Sequence, residues 1–285
     1  MGAALMTSYA SAQRLGDAEG RQYHIGLAPG EVAPWILLVG DPDRARLVAE
    51  RFEKVELTRG SREYVTITGV HEGLRVSVMG TGMGAGNTEI AVIELAQIVE
   101  RPTLLRCGSC GGLQPDIELG DLVITSGACR LENASAAYVD DGYPAVASPE
   151  VVMALVRAAD ELGARHHVGV TATAAGFYGA QGRVIPGLPR PRDPAIVDRL
   201  AAQGVKNLEM ETSCLLTMAT VCGLRAGAIC AVYASRTRDA FVHSQAKEAA
   251  ELSCVRAGLR ALHLLEAMDR ARGSKPCWHP GLEER

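Results

Sequence analysis

The stretch PWILLVG (34–40) runs directly into DPDRARLVAERF (41–52). An unbroken apolar run closed by a glycine describes a short strand buried on both faces, and the residues after it return to apolar at helical spacing from Asp43 to Phe52. The same grammar recurs outward from this point. LRVSVMGTGMG (74–84), TLLRCGSCGG (103–112) and DLVITSG (121–127) are apolar runs ending in glycine-rich turns. Helical patterns cover Asn87 to Glu100, Pro149 to Leu162, Pro194 to Ala202, Thr212 to Cys222 and Ser244 to Met268, most with a capping residue near the start. Alternation of this kind predicts an α/β fold around a largely parallel or mixed sheet. In such sheets ligands gather at the carboxyl ends of the strands, where the glycines and the chemically interesting residues of this chain fall.

A chain of 285 residues is ample for one large domain. We assign that domain to residues 21–270, with a mobile N-terminal tail over 1–20 and a C-terminal tail over 271–285. The Pro-rich stretch VIPGLPRPRDP (184–194) reads as a loop and a candidate lid. With a net charge of −4 and no Lys/Arg-rich block, the chain carries no electrostatic footprint for nucleic acid or an anionic membrane. It also lacks a run of about 18 apolar residues that would span a bilayer. A small-molecule partner is therefore expected. The eight cysteines are scattered through mostly apolar segments, which fits free thiols in a reducing, cytoplasmic compartment. Cys107-x-x-Cys110 is followed by no second Cys/His pair at metal-site spacing, so no metal centre is expected.

Three arginines draw attention. Arg44 lies in Gly40-Asp41-Pro42-Asp43-Arg44, a strand end turning into a helix, where backbone N–H groups and a guanidinium can face one anion. The same text also reads as an ordinary helix start, with Asp43 as cap and Arg44 in solvent. Arg106 sits inside an apolar strand and needs an anionic partner, either a ligand or an internal carboxylate. Arg62 follows a Gly-Ser turn before another strand, and Ser109 adds a hydroxyl beside a flexible turn. Together they suggest a phosphate site.

Asn207-Leu208-Glu209-Met210-Glu211 places two carboxylates around a methionine ahead of an apolar helix, a pattern shared with a capping box. FYGAQGR (177–183) combines an aromatic face, the Gln181 amide and the Arg183 cation, and reads equally as a surface turn.

Ten pieces in order now carry a resemblance: HIGL (24–27), VGDPDR (39–44), SREY (61–64), TGMG (81–84), LRCGSCGGLQP (105–115), GDLVIT (120–125), VGVTAT (168–173), FYGAQGR (177–183), NLEMETSCLLTMA (207–219) and SRT (235–237). The chain resembles the nucleoside phosphorylase family with the purine and uridine phosphorylase fold, and within it the bacterial uridine phosphorylases. The resemblance implies a single α/β domain with a partly barrel-like mixed sheet, and phosphorolysis of a pyrimidine nucleoside to free base and ribose 1-phosphate. It implies that phosphate is held by Gly40, Arg44, Arg106 and Ser109, with Arg62 reaching in from a neighbouring subunit. His24 would cross the same interface to the ribose 5′-hydroxyl, although by itself it reads as a surface or packing histidine. Glu211 and Met210 would bind the ribose, and Phe177, Gln181, Arg183, Tyr233 and Ala234 the base. The expected catalytic set is Arg183, Gln181, Glu211 and Arg106. No organic cofactor is implied, only inorganic phosphate as co-substrate, with K⁺ at the dimer interface near Glu63 in some relatives. The implied assembly is a homohexamer built from dimers.

Purine phosphorylases and nucleosidases of this fold place an aspartate directly after the serine of the corresponding strand end. This chain reads Ala234-Ser235-Arg236-Thr237, with Arg236 there instead. That favours a pyrimidine, against the alternatives of a purine phosphorylase, a nucleosidase or a non-catalytic nucleoside-binding protein. The reading also requires Arg44 and Arg106 to meet on one anion, rather than each being held by an internal carboxylate.

Overall fold

The computed structural model describes residues 11–13 and 15–282. Most of the N-terminal tail assigned to residues 1–20 lies outside these described residues. Its last part turns back on the chain, Gly16 bridging to Gln22.

The strand expected at 34–40 is β1 (Trp35–Val39), and the helix after it is α1 (Pro42–Ala49). Successive side chains of β1 enter different cores, Leu37 and Val39 one cluster and Ile36 and Leu38 the other. Burial on both faces is why this strand reads as a continuous apolar run. One cluster packs α1, α3 (Pro149–Glu161) and the 29-residue α6 (Ser244–Arg272) against the sheet. The other packs α2 (Ala85–Ile98) and α5 (Thr212–Val221) on the opposite side. A smaller cluster holds α4 (Ile196–Ala202).

Among the described residues the sheet has 11 strands, with β2 (Lys54–Ser61), β3 (Tyr64–His71), β4 (Leu74–Gly80) and β1 leading into β5 (Thr103–Gly112). From β5 it curls closed. β5 pairs in parallel with β10 (Arg225–Ser235), β10 antiparallel with β6 (Leu122–Leu131), and β6 in parallel with β8 (His166–Ala174). The short β9 (Asn207–Glu209) then joins β8 back to β5. Those five strands form a barrel, six helices surround it, and the partly barrel-like mixed sheet expected from the family resemblance is the observed one. Two two-residue strands, β7 (Ala145–Val146) and β11 (Ala240–Phe241), extend its rim.

The turn after β1 is built by close approach. A Cβ on Gly80, at the end of the neighbouring β4, would lie 2.7 Å from the Pro42 Cα, so only glycine lets the first residue of α1 sit against it. The cap of α1 is Asp41, whose side chain accepts the Asp43 N–H at 2.9 Å, and not Asp43 itself. Among the described residues no helix is long and apolar enough to cross a membrane. The eight cysteines are free thiols, five of them buried.

Candidate active site

The carboxyl ends of β1, β5, β9 and β10 open on one cavity of about 570 Å³. Gly40, Arg44, Arg106 and Ser109 line one part of it, Met210 and Glu211 another, and Phe177, Gln181, Arg183, Tyr233 and Ala234 a third. Chain segments up to about 190 residues apart in sequence thus converge as the motifs suggested.

Arg44 is buried, not solvated, and its Nε donates to Glu251 of α6 while Nη1 reaches the Cys107 carbonyl at 3.4 Å. Arg106 is buried too. Its guanidinium folds back along β5, where a Cβ on Gly108 would meet Nη2 at 2.7 Å, so this glycine makes room for it. Arg106 Nε donates to Glu209 at 3.1 Å and Nη2 to Glu211. Burial works against the Arg106 charge, but Glu211 and Glu209 more than offset it and raise its pKa. Of the two arrangements that would count against one shared phosphate site, one is observed. The two arginines share a cavity, yet each is held by an internal carboxylate. A guanidinium has five N–H donors in a fork, so a carboxylate on one edge leaves the other available, and neither Arg44 Nη2 nor Arg106 Nη1 donates to a described acceptor.

The two glutamates differ in what they do. Glu209 accepts the backbone N–H groups of Glu211 and Thr212 at 2.9–3.1 Å and the Thr173 hydroxyl at 2.6 Å, so it anchors the start of α5 as well as Arg106. The helix-capping reading of this segment therefore belongs to Glu209. Glu211 faces the cavity and accepts the Gly84 N–H at 2.6 Å, and burial raises its pKa against the opposing pull of Arg106. Such a carboxylate is an acceptor for a hydroxyl pair.

At the other end Gln181 is buried, and its Oε1 receives Arg183 at 2.7 Å and Arg236 at 3.3 Å. Arg236 also donates to the Gln181 carbonyl at 2.9 Å, and the Arg183 guanidinium lies 3.7 Å above the Phe177 ring centroid. FYGAQGR is thus an ordered shelf with a stacked arginine. Neither Arg183 nor Arg236 has a carboxylate partner among the described residues. Burial and then the neighbouring Arg236 push Arg183 down to about 10, and burial lowers Arg236. Both remain cationic at neutral pH. With Oε1 occupied by guanidinium donors, the Gln181 Nε2 is left to face a ligand.

The phosphorylase superfamily pattern matches residues 34–267, so every element that lines the cavity lies within it. The chain belongs to the phosphorylase superfamily. Its relatives include the uridine phosphorylase of Thermococcus kodakarensis, 42% identical over 284 residues, 98% of this chain and 99% of that one. The uridine phosphorylase of Escherichia coli is 36% identical, over 85% of this chain and 97% of its own. A guanosine phosphorylase of Halorubrum lacusprofundi is 34% identical over 74% of this chain and 83% of its own. The solved uridine phosphorylase of Vibrio fischeri superposes with a TM-score of 0.76 at 27% identity, covering 87% of this chain and 97% of that one.

Against this superfamily background, two expected site residues stand apart from the cavity. Arg62 is not in a strand entry but at the tip of the β2–β3 hairpin, with φ 53°, its guanidinium 4.8 Å from the Tyr23 ring centroid. His24 adjoins the same ring and bonds through Nδ1 to Glu94 at 2.6 Å. The two form one patch, tied together by the Ser61 hydroxyl donating to the His24 carbonyl at 2.6 Å. Sequence reasoning missed Lys247 of α6, which lines the cavity with its ammonium 5.8 Å from the Tyr233 ring centroid. It also missed Glu251, one turn further along, as the partner of Arg44. Nothing in a long helix rich in charge marks these two against a solvated face.

Proposed function

We propose that the protein is a uridine phosphorylase, cleaving uridine with inorganic phosphate to uracil and ribose 1-phosphate. The observation that carries this is the pair Arg183 and Arg236 converging on Gln181 without a carboxylate. Arg236 also stands where the purine-specific members of the fold would have an acid. Uracil leaves as an anion spread over its carbonyl oxygens, and a fixed cationic shelf stabilises that charge as it develops. A purine leaving group wants a proton at N7 instead, and the first carboxylate after Ser235 in the sequence, Asp239, is not among the cavity-lining residues.

In this reading a phosphate oxygen bonds to C1′ as the C1′–N1 bond breaks, and the bond's electron pair goes to the uracil ring. Gly40, Arg44, Arg106 and Ser109 hold the phosphate. Glu211 accepts from the ribose hydroxyls beside Met210, and its charge opposes that of the oxocarbenium-like C1′. Gln181 Nε2 donates to the base, Arg183 serves its oxygens, and Phe177, Tyr233 and Ala234 enclose it. Holding both reactants in line is worth roughly 7–11 kcal/mol. His24 and Arg62 act in a neighbouring subunit's cavity, which makes the dimer the smallest active unit and fits a homohexamer of dimers in the cytoplasm. Glu63 lines the cavity, but no trio of His, Cys or acidic side chains gathers there among the described residues. No step of the reaction is routed through a monovalent cation.

The test is product analysis with uridine, thymidine, inosine and adenosine, each with and without phosphate. Phosphate-dependent release of uracil with ribose 1-phosphate supports the reading. Base release that ignores phosphate, preference for inosine, or tight binding without turnover would replace it with a nucleosidase, a purine phosphorylase like the guanosine phosphorylase relative, or a binding protein.

A further inference from the structure

Away from the cavity, the β3–β4 hairpin turns through Glu72 and Gly73 and meets the last third of α6. His71 Nδ1 and His263 Nε2 lie 2.9 Å apart, their rings tilted by 47°. Together with a Glu72 carboxylate oxygen, the ligand atoms of these three residues all lie within 4.8 Å of one another. His71 and Glu72 border a cleft of about 510 Å³ between the hairpin and α6, and none of the three residues lines the nucleoside cavity.

We propose that His71, Glu72 and His263 form a binding site for a borderline transition-metal dication, Zn²⁺ being the type case, which clamps the hairpin to the C-terminal helix. Two imidazoles and one carboxylate suit such an ion, while Mg²⁺ and Ca²⁺ call for an all-oxygen set. With Zn–N bonds of about 2.0–2.1 Å at a tetrahedral angle, two ligating nitrogens stand roughly 3.3 Å apart. The observed pair need only separate by about half an ångström, and Glu72 supplies a third ligand, leaving a fourth position for water. Burial holds both imidazoles below the ordinary histidine range, the direction that favours the neutral form a metal needs. The charges felt at the two rings are mixed, with Glu72, Glu53 and Glu266 set against Arg51 and Arg260.

The backbone supplies a further reason. Glu72 has φ 47° and Gly73 φ 77°, the two left-handed residues of a tight hairpin turn, a place for Asn or Gly rather than for glutamate. A glutamate kept there against its backbone preference is accounted for if its carboxylate has a job. In the site as proposed, that job is ligation.

The experiment uses tag-free full-length protein, stripped with chelator and carrying Cys222→Ser and Cys277→Ser, which removes the two exposed thiols as competing zinc ligands. Calorimetric titration with ZnCl₂ should give one ion per chain with low-micromolar or tighter affinity. Melting should shift upward with Zn²⁺ and not with Mg²⁺ or Ca²⁺. His263→Gln should abolish binding. Glu72→Gly relieves the left-handed backbone, so it should fold at least as well while binding Zn²⁺ at least tenfold more weakly, and its phosphorolysis rate should match the parent. Absence of stoichiometric binding in this background, or unchanged binding in both Glu72→Gly and His263→Gln, overturns the proposal and leaves the two histidines as a hydrogen-bonded pair.

Discussion

Replacing Arg183 by alanine removes the guanidinium stacked on Phe177 and one of the two donors on Gln181 Oε1. Loss of one donor to a developing oxyanion costs about 2.7–4 kcal/mol in a closed site. Two features of this shelf pull the figure to the lower end. Arg236 remains, bonded to the same Gln181. Phe177 is 47% exposed, so water screens this edge of the cavity. We therefore expect about 2–3 kcal/mol, a fall of roughly 30- to 150-fold in kcat/KM for uridine at 1.36 kcal/mol per decade. The KM for phosphate should change less than threefold, because the arginines assigned to phosphate lie at the other end. Steady-state kinetics with both substrates varied measures the two effects separately. A phosphate KM that rises more than uridine turnover falls would show that the base and anion ends have been exchanged. A fall of under threefold in both would show that the shelf takes no part in the reaction.

Mixing experiments test the shared site: chains carrying Arg62→Ala and chains carrying Arg106→Ala should each be nearly inactive, and co-refolding them should restore activity in the mixed dimers, whereas mixtures no better than their parents would place Arg62 outside the reaction. Thr217 is fully buried on α5 with its hydroxyl unpartnered, so the near-isosteric Thr217→Val should stabilise the chain by about 1 kcal/mol in a melting experiment, and a loss of stability would point to an unseen partner. Glu31 is held at about 2, chiefly by its two hydrogen bonds from Arg21 at 2.7 and 2.8 Å. A carboxylate depressed in the fold stabilises it fully above its ordinary value and loses that contribution as pH falls toward 2. The stability gap between the parent and Glu31→Gln should therefore be constant above about pH 5 and close between pH 5 and 2 in denaturant titrations, and a gap that widens on acidification would contradict the pairing.

The parts of the fold legible in the sequence are those whose residues report on local environment alone. All six helices lie within about two residues of where apolar spacing put them at most of their ends, because each has one face on a core. β10 is the instructive failure. RAGAICAVYAS is eleven residues of strand buried at the centre of the barrel, but six of them are Ala, Gly or Cys and only Ile229 and Val232 are β-branched, a weak strand signature. Its small residues answer to tertiary contact: a Cβ on Gly227 would lie 2.4 Å from a Val151 methyl of α3. The site divides in the same way. An arginine within an apolar strand announces that it needs an anion, so Arg106 was legible, but which anion depends on β9 arriving about 100 residues later. Glu251 and Lys247 sit on a helix whose charge pattern is that of any solvated face, and only packing of α6 across β5 and β10 brings them to Arg44 and the cavity.

The internal carboxylates on Arg44 and Arg106 change how the phosphate site must work. A fully buried guanidinium without a partner is too costly to keep, so a cavity that waits for its substrate needs anions in residence. Glu209, Glu211 and Glu251 meet that need. The consequence is electrostatic balance: four cationic and four anionic side chains line the cavity of one chain, Arg44, Arg106, Arg183 and Lys247 against Asp41, Glu63, Glu209 and Glu211. A phosphate dianion entering such a cavity gains directional hydrogen bonds but no net opposite charge. Binding then depends on a cation from outside this set. In the proposed dimer that cation would be an Arg62 from a second chain, exposed on its hairpin tip with no carboxylate bonded to it among the described residues. If the site is shared between subunits as proposed, the sharing answers a need of the empty cavity: the carboxylates that make the buried arginines tolerable leave the lining of a single chain with no excess positive charge.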